Sequence, residues 1–179
     1  MDPVTIGDWM DRLSAESVDD RVAFTARFAS PVLVAQAEGG SRADLKAQTA
    51  ESTSTEMIDV AKIKSSAIAS RDARVYRVAR RAAGAGGISV GRARDSDVWI
   101  DDTRVSKRHA AFETGADGLV LHDLSSTNGT FVNERKLDKD ERTAVKPNDV
   151  VRFGRATKMH FLDPVGFFDY LLLLRRFGI

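Results

Sequence analysis

Short strand-like runs separated by turn residues recur through residues 73–163, and this pattern constrains the fold more than any other feature of the chain. Turn signals return about every 8–12 residues, a spacing typical of an all-β sandwich. No long helical pattern interrupts the region, which argues against an α/β fold. The predicted strands are Arg74–Arg80, Gly87–Val90, Asp97–Ile100, Ala110–Glu113, Gly118–Leu121, Thr130–Val132, Asp149–Phe153 and Met159–Leu162.

The pattern divides the chain into three parts. Residues 73–163 are predicted to form a sandwich of antiparallel strands, so the fold class is all-β. Residues 1–70 are predicted to form a helical and linker extension, and residues 164–179 a short apolar helix. A chain of 179 residues is long enough for one domain of common size plus such an extension.

Two stretches of the N-terminal extension have apolar residues at helical spacing. The first consists of Ile6, Trp9, Met10 and Leu13. A second helix is expected to begin near Ser17, where Asp20 completes a capping box, and to end near Phe28. Its partial apolar face would be formed by Val22, Phe24 and Phe28. We interpret 31–34 as a strand or buried coil, and 57–63 as a weak further helix.

The C-terminal part is predicted to be a helix that opens at Pro164 and is apolar on nearly all sides. Such a helix must be buried or bind a partner. The first hypothesis is docking against apolar residues of the extension, namely Trp9, Val22, Phe24 and Phe28. The alternatives are an interface with another copy or partner, and peripheral attachment to a membrane.

Charge is distributed unevenly, although the formal net charge of the chain is only +1. Residues 1–60 carry 11 acidic and 5 basic side chains, whereas residues 61–110 carry 12 basic and 5 acidic ones. A basic middle segment indicates an anionic partner, and a linker of solvated arginines is the alternative.

The sequence contains no cysteine, which excludes a disulfide framework, a Cys-ligated metal and a thiol nucleophile. The three histidines, His109, His122 and His160, lack metal-ligand spacing, so we expect no metal and no cofactor. The chain shows neither a standard signal peptide nor the roughly 20 apolar residues of a spanning helix. We therefore expect a cytoplasmic protein without a transmembrane segment.

Three motifs occur in a fixed order on the loops between the predicted strands. Each motif alone is uninformative, and their combination in this order on a β pattern is a strong signal. The motifs are Gly91-Arg92, Ser106-Lys107-Arg108-His109, and a third loop, Leu124–Asn133, which reads Leu-Ser-Ser-Thr-Asn-Gly-Thr-Phe-Val-Asn.

This order and spacing resemble the forkhead-associated (FHA) domain, a module that binds phosphothreonine peptides. The resemblance covers roughly residues 73–163, about half of the chain, and says nothing about either flank. It implies that phosphopeptide-binding residues are Arg92, Ser106, Lys107, Arg108, Thr127 and Asn128. It also implies that the site is supported by Gly91, His109 and Gly129.

The chemistry of a phosphate ester fits these residue types. At neutral pH the group carries nearly two negative charges and three acceptor oxygens. Arg92 would offer a planar fork of donors, and Ser106 a hydroxyl at close range. The amide of Asn128 both donates and accepts hydrogen bonds, so it can hold a peptide group in register.

The resemblance therefore implies a signalling adaptor that binds a phosphothreonine-containing segment of a Ser/Thr kinase target and catalyses nothing. The alternative is phosphate-independent scaffolding or self-association on the same fold. Nucleic-acid binding by the arginines of 71–81 is less favoured, because only Tyr76 lies among them and no stacking platform is visible. Ser106, His109 and an aspartate could form a triad on paper, but no nucleophile motif surrounds them.

Thr53 and Thr55 are candidate phosphorylation sites, because hydroxyl residues there stand beside acidic ones. If phosphorylated, either could serve as an intramolecular or self-association ligand, at the high local concentration that a linker provides. A solvated linker, or a helix capping box formed by Thr53 and Glu56, is the alternative.

Overall fold

A computed structural model describes residues 4–15, 21–36, 70–82, 86–116, 118–156 and 158–176. Within these ranges the chain forms twelve strands and three helices. The strands make two sheets that face each other, so the predicted all-β sandwich is confirmed. The candidate phosphorylation sites Thr53 and Thr55, the predicted capping box at Ser17 and the weak helix at 57–63 lie outside the described residues.

The larger sheet has seven strands in the order β1-β3-β2-β12-β11-β8-β9. All its neighbours are antiparallel. Its members are β1 (Val4–Thr5), β2 (Val32–Ala35), β3 (Arg74–Arg77), β8 (Thr130–Val132), β9 (Arg135–Lys136), β11 (Val150–Phe153) and β12 (Met159–Leu162).

The smaller sheet has five strands in the order β10-β7-β6-β4-β5. Its one departure from the predicted antiparallel pairing, among the described strands, is that β4 and β5 run parallel. Its members are β4 (Ile88–Gly91), β5 (Val98–Trp99), β6 (Ala110–Gly115), β7 (Gly118–Asp123) and β10 (Thr143–Ala144).

The main core lies between the two sheets, where each strand turns its alternate apolar side chains inward. Phe112 of β6 stacks on Phe161 of β12 with ring centroids 6.1 Å apart, which joins the sheets at their centre. Leu33, Leu121, Val151 and Phe153 are fully buried around this pair. Burial of this kind is the main force that stabilises a sandwich.

A second core lies on the outer face of the larger sheet, beneath three helices: α1 (Ile6–Ala15), α2 (Arg21–Arg27) and α3 (Pro164–Arg176). Trp9 of α1 meets Phe167 of α3 edge-on at 5.2 Å, and Phe24 of α2 lies 5.2 Å from Phe168. Val32, Val34 and Leu162 of the sheet complete this core. The hypothesis that the C-terminal helix docks against the N-terminal extension is therefore confirmed.

The prediction was wrong for Val22, which is 73% exposed and so not part of this core. The reason lies in the start of α2. Its first residue, Arg21, donates to the Asp169 carboxylate of α3 at 2.8 Å, so that edge of the helix is the one turned to its neighbour. At its own start, α3 is capped by Asp163, whose carboxylate accepts the Gly166 amide at 2.8 Å.

Strand β2 lies inside the larger sheet, hydrogen-bonded to β12 on one side and β3 on the other. The segment 31–34, which the sequence predicts to be either a strand or a buried coil, is therefore a strand from Val32 onward. Its apolar run, Val32-Leu33-Val34, is continuous because both faces are covered, one by the main core and the other by the helices. Although β2 belongs to the predicted N-terminal extension, it pairs within the larger sheet. The division of the chain into three parts remains a prediction. No helix in the described part of the chain is long and apolar enough to span a bilayer.

Candidate functional site

Three loops meet at one end of the sandwich. They follow β4 (92–97), precede β6 (100–109) and connect β7 to β8 (124–129). The first two are joined by main-chain hydrogen bonds, from Arg92 to the Ser106 carbonyl at 2.9 Å and from Ala93 to that of Lys107 at 3.1 Å. The third is joined to the second because the Thr127 amide donates to the Ser106 hydroxyl oxygen at 3.1 Å.

Gly91 brings the first two loops together. A Cβ atom at this position would overlap the carbonyl oxygen of Lys107 and lie 2.9 Å from its carbonyl carbon. Both are main-chain atoms, which cannot move aside cheaply, so any residue with a Cβ would push the loops apart. This contact explains why a glycine precedes Arg92.

Arg92 is half-buried and held at several points along its length. Its carbonyl accepts the indole N–H of Trp99 at 3.2 Å, and its Nε donates to the Val105 carbonyl at 3.3 Å. Among the described residues, the structure gives its terminal Nη groups no hydrogen bond and no ion pair. The guanidinium is therefore fixed in place with part of its donor fork unused.

Ser106 and Thr127 lie side by side, with their hydroxyl oxygens 3.4 Å apart. The Ser106 oxygen accepts the Thr127 amide at 3.1 Å, and the Ser106 hydroxyl donates to the Thr127 hydroxyl oxygen over the longer distance, a contact that an outside acceptor can replace because a hydroxyl rotates. Thr127 is exposed and Ser106 is partly so. The pair thus places two hydroxyl groups on the same side of the loops.

His109 lies beneath the loops and is fully buried. Its Nδ1 accepts the Ser106 amide at 3.0 Å, and its Nε2 lies 3.2 Å from the carbonyl oxygen of Gly129. An amide can only donate, so Nδ1 is unprotonated and Nε2–H donates to Gly129. Burial lowers the pKa of His109 below its usual value, which is only partly opposed by the contacts with Gly129 and Asp123. A neutral ring therefore links the second loop to the third.

Asp123 organises the third loop. Its carboxylate accepts the Ser126 amide at 2.8 Å and the hydroxyls of Ser126 and Thr130 at 2.6 Å each. Burial opposes ionisation, but these hydrogen bonds outweigh it and hold the pKa of Asp123 below its usual value. The loop is consequently closed by a charged group that the sequence motif did not single out.

The turn at Asn128 and Gly129 is held from below by a residue that sequence reasoning missed. Gly154 donates its amide to the Gly129 carbonyl at 2.8 Å. Its φ is +65°, and a Cβ there would lie 2.5 Å from the Arg104 carbonyl oxygen and 3.3 Å from Asn128 Cβ. The Asn128 amide donates to the same Arg104 carbonyl at 3.3 Å. The sequence offers one signal for this role, which is that Gly154 directly follows the last residue of β11.

The basic side chains at the loops fall into two groups. Lys107 and Arg108 are exposed, and neither has an ion pair among the described residues. Arg104 instead pairs with Asp102 at 2.7 Å, so its charge is largely neutralised. Arg94 lies over the Trp99 ring at 4.7 Å from the centroid. Arg104 therefore adds little to the positive charge at the loops, which comes mainly from the other basic side chains.

The dense arginines of 71–81 make contacts within the chain. Arg71 pairs with Asp11 at 2.7 Å, and Arg77 donates to the Ser30 hydroxyl at 3.1 Å. Arg80 and Arg81 donate to main-chain carbonyls, of Gly86 at 3.0 Å and Arg94 at 2.7 Å. These contacts give most of this segment a structural use that the sequence did not indicate.

The predicted site residues Arg92, Ser106, Thr127 and Asn128 thus lie on three loops joined into one surface, over Gly91, His109 and Gly129. The described residues hold no group of three or more His, Asp or Glu side chains arranged to bind a metal ion. The described strands thus form a two-sheet β-sandwich with polar and partly cationic loops at one end.

Residues 88–154 match the FHA domain family model, and this part of the chain is an FHA domain. The glycogen accumulation regulator GarA of Mycolicibacterium smegmatis is 41% identical over 77 residues, covering 42% of this chain and 46% of GarA. The oxoglutarate dehydrogenase inhibitor of Corynebacterium jeikeium is 34% identical over 67 residues, covering 37% of this chain and 44% of the relative.

Among solved structures, Mycobacterium tuberculosis EmbR in complex with a low affinity phosphopeptide is 24% identical and superposes with a TM-score of 0.41. That match covers 50% of this chain and 22% of EmbR. The chain spans less than half the length of the curated relatives it matches.

Proposed function

We propose that this protein binds a phosphothreonine-containing segment of another protein, a target of a Ser/Thr kinase, through the three joined loops. The observation that carries the proposal is the guanidinium of Arg92, which is anchored through Nε while its terminal donors have no partner among the described residues. The Ser106 hydroxyl lies on a loop bonded directly to that of Arg92, and the Thr127 loop is bonded in turn to the Ser106 loop.

A phosphate group suits this surface because it needs several donors and a positive charge together. Arg92 supplies two donors in a plane, and Ser106 adds a hydroxyl. Lys107 and Arg108, which have no ion pair among the described residues, add positive charge at the rim, and this charge speeds the encounter with anionic segments. We propose that the Asn128 amide holds the peptide backbone beside the phosphothreonine.

We further propose that the protein acts as a non-catalytic, cytoplasmic signalling adaptor that needs no cofactor. The arrangement of Ser106 and His109 supports this. The imidazole Nδ1 accepts the main-chain amide of Ser106 rather than its hydroxyl, and Nε2 is directed to Gly129. No hydrogen bond joins the hydroxyl to the ring, so His109 is not placed to activate Ser106 as a nucleophile.

The test is a titration of matched phosphothreonine, phosphoserine and unmodified peptides against the wild type and Arg92→Ala. The wild type is expected to prefer phosphothreonine, and Arg92→Ala to weaken that binding at least about 30-fold, because a desolvated charge pair is lost. Arg77→Ala is the matched control. In the larger sheet Arg77 lies opposite Val32, and Val32 lies opposite Leu162, the last residue of β12. This end of β12 is the one away from the loops, so Arg77 lies at the far end of the sandwich.

Two results would overturn the proposal. Equal affinity for phosphorylated and unmodified peptides would favour a phosphate-independent scaffold or self-association module. Tight binding of DNA or RNA with a steep salt dependence, reduced by Arg77→Ala but not by Arg92→Ala, would favour nucleic acid as the partner. A role for phosphorylated Thr53 or Thr55 as an internal ligand remains a prediction, and both residues lie outside the described ranges.

A further inference from the structure

Lys136 extends along the outer side of the third loop. It lies on the edge strand β9 opposite Phe131 of β8, and the next residue, Leu137, donates its amide to the Thr130 carbonyl. Gly129 has a φ of +80°, and the space that a Cβ would fill there is taken by the Lys136 side chain, whose Nζ lies 3.3 Å from that point. The ammonium group therefore lies against the Asn128–Gly129 turn.

Lys136 has no ion-pair partner within the described part of the chain, whereas two basic residues near it each have one. Arg135, the preceding residue, pairs with Glu141 at 2.5 Å, and this contact helps to lower the pKa of Glu141 to about 2. Lys158 pairs with Glu134 at 2.5 Å. Lys136 is exposed and has neither an ion pair nor a hydrogen bond.

A second basic residue lies on the same face of the sheet. Arg152 of β11 is opposite Phe131 of β8, which is in turn opposite Lys136 of β9, so Phe131 separates the two basic residues in the sheet. The Arg152 guanidinium lies over the Phe131 ring, 3.7 Å from its centroid, and also donates to the Gly154 carbonyl. Unlike Lys136, Arg152 therefore has its charged group engaged by a ring and a carbonyl oxygen.

We propose that Lys136 is a specificity-determining residue that selects ligands carrying an acidic side chain near the phosphothreonine. The inference rests on the proposed function, because it requires a peptide held along Asn128. A peptide backbone at that amide passes beside the Gly129 turn, and one of its side chains then comes within reach of the Lys136 ammonium. A carboxylate there finds a cation with no competing partner in the described chain, whereas a basic side chain is repelled.

The pair would be exposed at the rim, so its effect is on discrimination more than on total affinity. Exposed ion pairs change equilibrium constants by about 1.5- to 5-fold. The expected preference for Asp over Asn at one peptide position is therefore about 2- to 5-fold, and it decreases as salt is added.

The test uses phosphothreonine peptides in which a single Asp is moved through each position on either side, each paired with the matching Asn peptide. The measured quantity is the Asn-to-Asp ratio of dissociation constants, for the wild type and for Lys136→Gln. The wild type is expected to show the preference at one position, and Lys136→Gln to abolish it. Lys136→Glu is expected to invert it, so that a Lys peptide binds better than the Asp peptide.

Lys146→Gln is the matched control. Lys146 is exposed and belongs to the turn before β11, and β11 ends at the loops near Gly154, so this lysine lies at the opposite end of the sandwich. Its removal is expected to leave the ratio unchanged. The inference fails if Asn peptides bind the wild type with phosphate dependence but the ratio is unaffected by Lys136→Gln, or if Lys146→Gln lowers it equally. If no phosphothreonine peptide binds at all, the proposed function itself fails.

Discussion

The buried Nδ1 of His109 accepts the main-chain amide of Ser106 at 3.0 Å, so the second loop is held by an imidazole that must stay neutral. Protonation can occur only at Nδ1, since Nε2 already carries the hydrogen directed to Gly129. A proton on Nδ1 would face the Ser106 N–H and break this contact. The loop surface is thus coupled to the protonation state of a residue that no ligand need touch.

We expect the free energy of unfolding to fall as the pH is lowered below about 6.5, the usual pKa of histidine. Burial lowers the pKa of His109 in the folded protein, so the unfolded chain takes up a proton that the folded chain refuses. The stabilisation is complete above the unfolded pKa and is lost as the pH falls towards the folded pKa. Urea unfolding at several pH values between about 7 and 5 measures this slope.

His109→Gln is expected to make that slope shallower. A remaining slope of the same sign is expected from His160, whose pKa is also lowered by burial. A slope identical in wild type and His109→Gln would contradict the assignment.

Replacing Asp123 by Asn should loosen the third loop. The carboxylate accepts three hydrogen bonds from Ser126 and Thr130. A hydrogen bond to a charged group contributes about 1.5–3 kcal/mol to stability. We expect Asp123→Asn to lower the free energy of unfolding by about that amount and to weaken phosphopeptide binding. Denaturant unfolding and peptide titration measure the two effects, and unchanged binding would show that the loop does not depend on this carboxylate.

Gly154→Ala should weaken ligand binding although Gly154 is buried beneath the loops. A left-handed φ costs a residue with a Cβ about 1–2 kcal/mol, and here the Cβ would also press on the Arg104 carbonyl. Gly118→Ala is the control: its φ is +123°, nothing lies within 4 Å, and it belongs to the far β6–β7 turn. Both variants should be less stable, but only Gly154→Ala should lose affinity. Equal affinities would remove Gly154 from the support of the site.

Phe167→Ala should destabilise the fold without changing the specificity of the loops. Phe167 is 2% exposed between Trp9 and Phe24, and removing a buried phenyl ring costs about 3–5 kcal/mol. We expect a lower thermal midpoint and an unaltered preference for phosphothreonine in the fraction that remains folded. A change in preference would mean that the helical layer takes part in recognition.

The sequence predicts the strands well where local signals suffice. Thr130–Val132 and Met159–Leu162 have the predicted bounds, since alternating or continuous apolar residues end at clear turns. Short edge strands such as Arg135–Lys136 carry no apolar pattern and were missed. Val22 was misplaced because its exposure depends on how α2 meets α3, which is a tertiary contact.

The same division holds at the site. Arg92, Ser106 and Asn128 could be found from the loop motifs, because these residues lie within a short sequence pattern. Gly154 and Lys136 could not, because each reaches the third loop from a different strand. Which side chains surround a loop depends on strand order, and the order β11-β8-β9 is not written in the spacing of any motif.

The larger sheet has a consequence for how the protein can be divided. The segment matched by the family, 88–154, supplies only β11, β8 and β9 of the seven strands, while β1, β2, β3 and β12 lie outside it. Leu33, Tyr76 and Phe161 of those outer strands cover one side of the main core. An excised 88–154 fragment would present that side of the core to water together with an unpaired edge on β11, a combination that leads to aggregation. Two distant parts of the chain are therefore needed to close the sandwich whose loops are built by the middle.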